Sequence, residues 1–98
     1  MAVYMILDIE VIDAEDYASY VEQAPATVEQ YGGRYLVRGG ELTSLEGGWA
    51  PQRVVVIEFP SREQFETWLS SPEYSAISPI RQRSTMSKAI VVEGYEPA

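Results

Sequence analysis

Residues 3–12 narrow the folds open to this chain more than any other stretch, because their side chains alternate with a period of two and sort into unlike faces. Val3, Met5, Leu7, Ile9 and Val11 form a wholly apolar row, and Tyr4, Ile6, Asp8, Glu10 and Ile12 form a mixed one. This is the pattern of a strand with one dry face and one mixed face. Whatever the other elements are, they must cover the first row.

The chain then supplies a helix. Asp13 is placed as an N-cap, with Glu15 and Asp16 in the first turn where acids suit the helix dipole. Tyr17, Tyr20, Val21, Ala24, Val28 and Tyr31 recur at helical spacing, and Gly32 reads as the C-cap residue. Pro25 is expected to kink this helix or split it near Gln23. Residues 31–40, YGGRYLVRGG, end the helix, run a short strand over Arg34–Arg38 and break again at glycines. Regular alternation puts Arg34, Leu36 and Arg38 on one strand face, and residues 41–45 could continue the strand past the bend at Gly39 and Gly40.

After the glycine-rich loop EGGWAPQ, Arg53–Phe59 is a second clear strand, with Val55, Ile57 and Phe59 on one face and Val54, Val56 and Glu58 on the other. Ser61 and Gln64 form a capping box for a helix whose stripe is Phe65, Trp68 and Leu69. Ser71, Pro72 and Glu73 read as a second N-cap, opening a short helix with Tyr74 and Ile77. Pro79 interrupts it, which leaves residues 80–85 as a loose turn or short helical extension. Residues 88–95 make the last strand.

The order strand, helix, strand, strand, helix, strand closes into a four-stranded antiparallel sheet with the helices on one face. At 98 residues the expectation is a single domain over 1–98 with one core. The uncovered face then carries Tyr4, Ile6, Asp8 and Glu10 with Val54, Val56 and Glu58. Arg34, Leu36 and Arg38 join them if Tyr35 and Val37 pack under the helices. Ile90 and Val92, or Val91 and Tyr95, could point either way. Such a face is too apolar for plain solvent and too charged for a dry core, so it calls for a partner. Two such sheets in a homodimer give about eight strands, the size at which a barrel interior is filled by side chains or holds one small ligand.

Composition removes several function classes. The net charge of -8 repels phosphate backbones and anionic lipids, so neither nucleic acid nor membrane is an expected partner. Neither cysteine nor histidine occurs, which excludes disulfides, thiolate chemistry, the usual zinc sites, a histidine base, the Ser-His triad and proximal-histidine haem ligation. Asp13, Glu15 and Asp16 are accounted for by a helix start, and the glycine pairs lack the lysine and hydroxyl residue of a phosphate loop. No metal and no cofactor are expected. The apolar first residues carry Asp8 and Glu10 and lack a basic leader, so a cytoplasmic location is the expectation.

Three segments together resemble a known family: YGGRYLVRGG at residues 31–40, RVVVIEFPS at residues 53–61, and SPEY at residues 71–74 with Arg81 after it. They look like the family catalogued as domain of unknown function 1330. The resemblance implies a ferredoxin-like α+β fold pairing into a dimeric α/β barrel. Its superfamily also holds cofactor-independent monooxygenases, chlorite-dismutase-like haem proteins and stress-responsive barrels. The resemblance does not imply a reaction.

The leading candidate site is Arg38 with Asp8 and Glu58, opposite charges on neighbouring strands in a space closed by the dimer, with Tyr4 on the same face. It either holds a small polar or anionic ligand or is a structural ion-pair network. Tyr74 and Arg81 either line the mouth of this cavity or belong, in the case of Tyr74, to the core. Trp49 either lids the pocket or packs across the dimer, and Trp68 belongs to the core. Three functions compete: a module binding a small ligand through Arg38, a monooxygenase- or isomerase-like enzyme, and a structural dimer. In the enzyme, a buried Asp8 or Glu58 of raised pKa would be the base.

Overall fold

The computed structural model describes residues 1–97. Its elements are β1 (Val3–Val11), α1 (Ala14–Gln30), β2 (Arg34–Arg38), β3 (Arg53–Phe59), α2 (Arg62–Leu69), α3 (Pro72–Ser75), α4 (Ser78–Ser84) and β4 (Thr85–Glu93). The strands form one antiparallel sheet in the order β2-β3-β1-β4, covered by helices on one face, which is the ferredoxin-like α+β arrangement.

The register brings like rows together. Met5 stands opposite Ile57 and Val91, and Leu7 opposite Val55, so the apolar row of β1 is continued across the sheet. Val3, Met5, Leu7, Ile9, Val55, Ile57 and Phe59 are buried there beneath Tyr20, Ala24, Val28, Phe65 and Trp68. The other row pairs Ile6 with Val56 and Ile90, and Tyr4 with Glu58 and Val92. That register settles β4: Ile90 and Val92 lie on the uncovered face, while Val91 packs against the core.

The element ends follow local chemistry. Asp13 accepts from the Asp16 amide at 3.1 Å, and Gly32, at φ 84°, turns the chain out of α1. The Ser71 hydroxyl accepts from the Tyr74 amide at 3.1 Å and donates to the Trp68 carbonyl at 2.7 Å, so one side chain both closes α2 and opens α3.

Five expectations change. Leu69, expected in the buried stripe of α2, is 44% exposed, and only Phe65 and Trp68 are buried there. Pro25 does not split α1, which runs unbroken through it. The helical run is interrupted just before Pro79, which falls in the first turn of α4, so residues 80–84 form the short helical extension. What differs is the last strand, which runs Thr85–Glu93 rather than over residues 88–95. Residues 41–45 are not a strand. Most consequential, β2 contains a bulge: Tyr35 pairs with Ile57 but Val37 pairs with Val56, which leaves Leu36 as an extra residue. Beyond it the alternation inverts. Val37 joins the uncovered face, and Arg38, opposite Val55, turns to the helix side. Among the described residues no helix is long and apolar enough to cross a membrane.

Candidate functional site

On the helix side, Arg38 donates through Nη2 to the Val21 carbonyl of α1, and its guanidinium lies 5.1 Å from the centre of the Tyr35 ring. Arg53 opens β3 on the same face as Val55 and Ile57, opposite Ile9, with its guanidinium 5.7 Å from the Tyr17 ring. Gly39, at φ 71°, makes room for this arm: a Cβ there would run into the Arg53 guanidinium. The Arg53 Nε is buried without a hydrogen-bond partner.

The third cation comes from α4. Arg81 donates from Nε to the Tyr74 hydroxyl at 3.4 Å, and that hydroxyl shares a 2.9 Å hydrogen bond with Tyr20. The Tyr74 ring is buried against Trp68, with centres 4.1 Å apart. Trp68 is held by its indole N–H, which donates to Thr27 Oγ1 at 3.1 Å.

The three arginines with Tyr17, Tyr20, Tyr35 and Trp68 surround a cavity of about 20 Å³ between the sheet and α1, floored by Met5, Leu7 and Ile57. It has room for about one water. Arg38, Arg53 and Arg81 all border it, and among the described residues no carboxylate does. The ion pairs lie elsewhere: Arg34 with Glu58 at 2.7 Å, Arg83 with Asp16 at 2.6 Å, and the N-terminus with Glu96. Arg38 is exposed, but Arg53 and Arg81 are half-buried, and guanidiniums taken partly out of water without an anion are costly to keep. Burial pushes the Tyr35 phenol up to about 12, and burial with the neighbouring Tyr74 also raises Tyr20. Both keep their protons at neutral pH. The cationic and phenolic groups around the cavity are therefore hydrogen-bond donors.

The uncovered face has a different arrangement. Asp8 accepts from the Trp49 indole N–H at 3.0 Å, so the loop tryptophan reaches over β1. A groove of about 340 Å³ beside it is bounded by Ile6, Val54, Lys88 and Ile90. Glu58 is held below the usual carboxylate range, first by its hydrogen bond with Arg34 and then by that with Tyr4. A general base needs the opposite shift.

The expected site residues thus separate into two groups. Arg38, Tyr74 and Arg81 stand on the helix side, whereas Asp8, Glu58, Tyr4 and Trp49 stand on the uncovered face, with the sheet between. Arg38 meets neither Asp8 nor Glu58, because the bulge at Leu36 reverses its direction. Arg53, Tyr17, Tyr20 and Tyr35 went unrecognised as cavity residues. Arg53 did carry a signal, since it has the same parity as Val55, Ile57 and Phe59 and so belongs to the core-facing row.

The model of the family described as domain of unknown function (DUF1330) matches residues 2–95. No protein with a curated description matches the chain. Among solved structures, the chain is similar to RPA0582 from Rhodopseudomonas palustris, a protein of unknown function, with TM-score 0.80 and 22% identity over 98% of this chain and 84% of that one. It is also similar to SnoaB from Streptomyces nogalater, a cofactor-independent oxygenase, with TM-score 0.70 and 14% identity over 98% and 95% of the two chains. An uncharacterised NIPSNAP domain protein from Burkholderia xenovorans follows, with TM-score 0.62 and 15% identity over 97% and 95%. At these identities the likeness is one of fold.

Proposed function

Because the chain belongs to the domain of unknown function 1330 family, whose function is unknown, we propose a function from the cavity itself: it binds a small organic anion between the sheet and α1. The observation that carries this is the convergence of Arg38, Arg53 and Arg81 on one apolar-floored space without a carboxylate among the described residues, with the Arg53 Nε buried and unpartnered. An anion supplies what the protein omits, and guanidiniums bind carboxylates through paired, charge-assisted hydrogen bonds. At about 20 Å³ the cavity holds about one water as it stands, so binding an organic anion requires its lining to move apart.

The same lining bears on catalysis. SnoaB is an oxygenase of this fold that needs no cofactor. Here, however, Asp8 and Glu58 do not reach the cavity, and Tyr20 and Tyr35, which do, keep their protons. The site suits stabilising an anion better than abstracting a proton.

We assign the uncovered face to a second copy of the chain. Leu36 and Val37 on one edge strand are 46% and 40% exposed and Ile90 and Val92 on the other 62% and 45%, and the row Val37, Val56, Ile6, Ile90 joins them into an apolar surface of the kind that marks an interface. Sedimentation equilibrium should give a dimer and, for Ile90→Lys, a monomer. A wild-type monomer at micromolar concentration would remove this assignment.

For the ligand site, the test is an NMR titration with cyclohexanecarboxylate. Binding should shift the signals of Val55, Ile57 and Tyr17, and Arg53→Met should weaken it at least about tenfold, the scale of one charge-assisted hydrogen bond. Shifts confined to the uncovered face, or none in the millimolar range, would reject the site.

A further inference from the structure

We infer that the ligand of this site carries a second oxygen, a carbonyl or oxyanion, beside the Tyr20 hydroxyl, and that this hydroxyl donates to it. The inference rests on the anion-binding reading above and adds the chemical class: an oxo acid built on an apolar ring or short chain.

The argument is a count of hydrogens. The hydroxyls of Tyr20 and Tyr74 carry two hydrogens, and the 2.9 Å bond between them uses one. Arg81 donates to Tyr74, so it consumes none of them. The Tyr74 oxygen can accept from both Arg81 and Tyr20, but that direction would strand the Tyr74 hydrogen in the core, so the favoured direction is Arg81 to Tyr74 to Tyr20. That leaves the Tyr20 O–H without an acceptor among the described residues. Tyr74 is buried and does not border the cavity, whereas Tyr20 does, so the free hydrogen sits on the phenol that faces it.

Chains of this kind are cooperative. A guanidinium at the head polarises each hydroxyl in turn and makes the last one a stronger donor. Such a donor discriminates: a ligand lacking the matching oxygen leaves a buried polar group unpaired. The Tyr17 ring stands beside both groups, its centre 5.7 Å from the Arg53 guanidinium and 5.9 Å from the Tyr20 ring on which it stacks. Met5, Leu7 and Ile57 in the lining offer a ligand body only apolar contact.

The test compares two probes that differ by one carbonyl, 4-oxocyclohexanecarboxylate and cyclohexanecarboxylate, titrated by NMR against the full chain. The oxo acid should bind about fivefold to tenfold more tightly, the value of one buried hydrogen bond. Tyr20→Phe should abolish that preference, so that the two acids bind the variant equally. Tyr74→Phe keeps the Tyr20 hydroxyl but breaks the relay, and should reduce the preference without eliminating it, which also covers the case of a Tyr20 variant that folds poorly. Equal binding of both acids to the wild type would overturn this inference and leave the anion site standing. Binding of neither would overturn both.

Discussion

Pro25 and Arg38 act on the same carbonyl oxygen: proline removes the N–H that would have bonded Val21 four residues earlier, and the Arg38 guanidinium donates to that oxygen instead. The arginine at the cavity mouth is thus positioned by a defect in the helix opposite. This contact is also one that a ligand anion can replace, since a carboxylate is the stronger acceptor.

The pairing predicts an energetic coupling. Arg38→Ala should destabilise the wild type by about 1 kcal/mol through the orphaned carbonyl, and much less in a Pro25→Ala background, where the helix supplies its own donor. Urea unfolding of the four species in a double-mutant cycle measures this. Additive effects would show that Arg38 and Pro25 are independent.

Gly39→Ala should affect stability and binding together. The left-handed backbone at φ 71° costs a non-glycine residue about 1 kcal/mol, and the new methyl displaces the Arg53 arm. The expected result is a lower midpoint in urea and weaker binding of cyclohexanecarboxylate. Gly40→Ala, with open space around its Cβ position, is the control and should leave binding unchanged.

Thr27→Val tests the support beneath Tyr74. The Thr27 hydroxyl accepts from the Trp68 indole and donates to the Ala24 carbonyl at 2.8 Å. Its removal strands a buried indole N–H, and unfolding should become easier by about 1–3 kcal/mol. A neutral outcome would mean that Trp68 finds another acceptor.

Acid should weaken the fold through Glu58 and Asp16, whose carboxyls are lowered by hydrogen bonds with Arg34 and Arg83 respectively. Their folded values lie below their unfolded ones. The stabilisation is therefore present above the ordinary carboxylate range and is lost as pH falls through the depressed values. Glu58→Gln should flatten the stability profile below about pH 5 while changing little at pH 7 beyond the loss of one surface pair. An unchanged acid limb would place the sensitivity elsewhere.

How far the sequence could be read depends on whether a feature is local. The period-two row of β1, the caps at Asp13, Ser61 and Ser71, and the turn at Gly32 are set by neighbours within a few residues, and they were legible. The core-facing parity of β3 was legible as well and already contained Arg53. The resemblance carried by residues 31–40, 53–61 and 71–74 extended this to the family and the ferredoxin-like fold. Leu36 was different. Nothing in RYLVR marks one residue as extra, because a bulge is defined by two strands and appears only when β2 is paired with β3.

By itself, then, the sequence determined the elements, their order and the dry face of the sheet, since these follow from side-chain periodicity and backbone preference along the chain. Only the tertiary structure decided which side of the sheet Arg38 serves. One unpaired residue inverts the alternation after it, and that inversion moves the candidate site from the uncovered face to the space beneath α1.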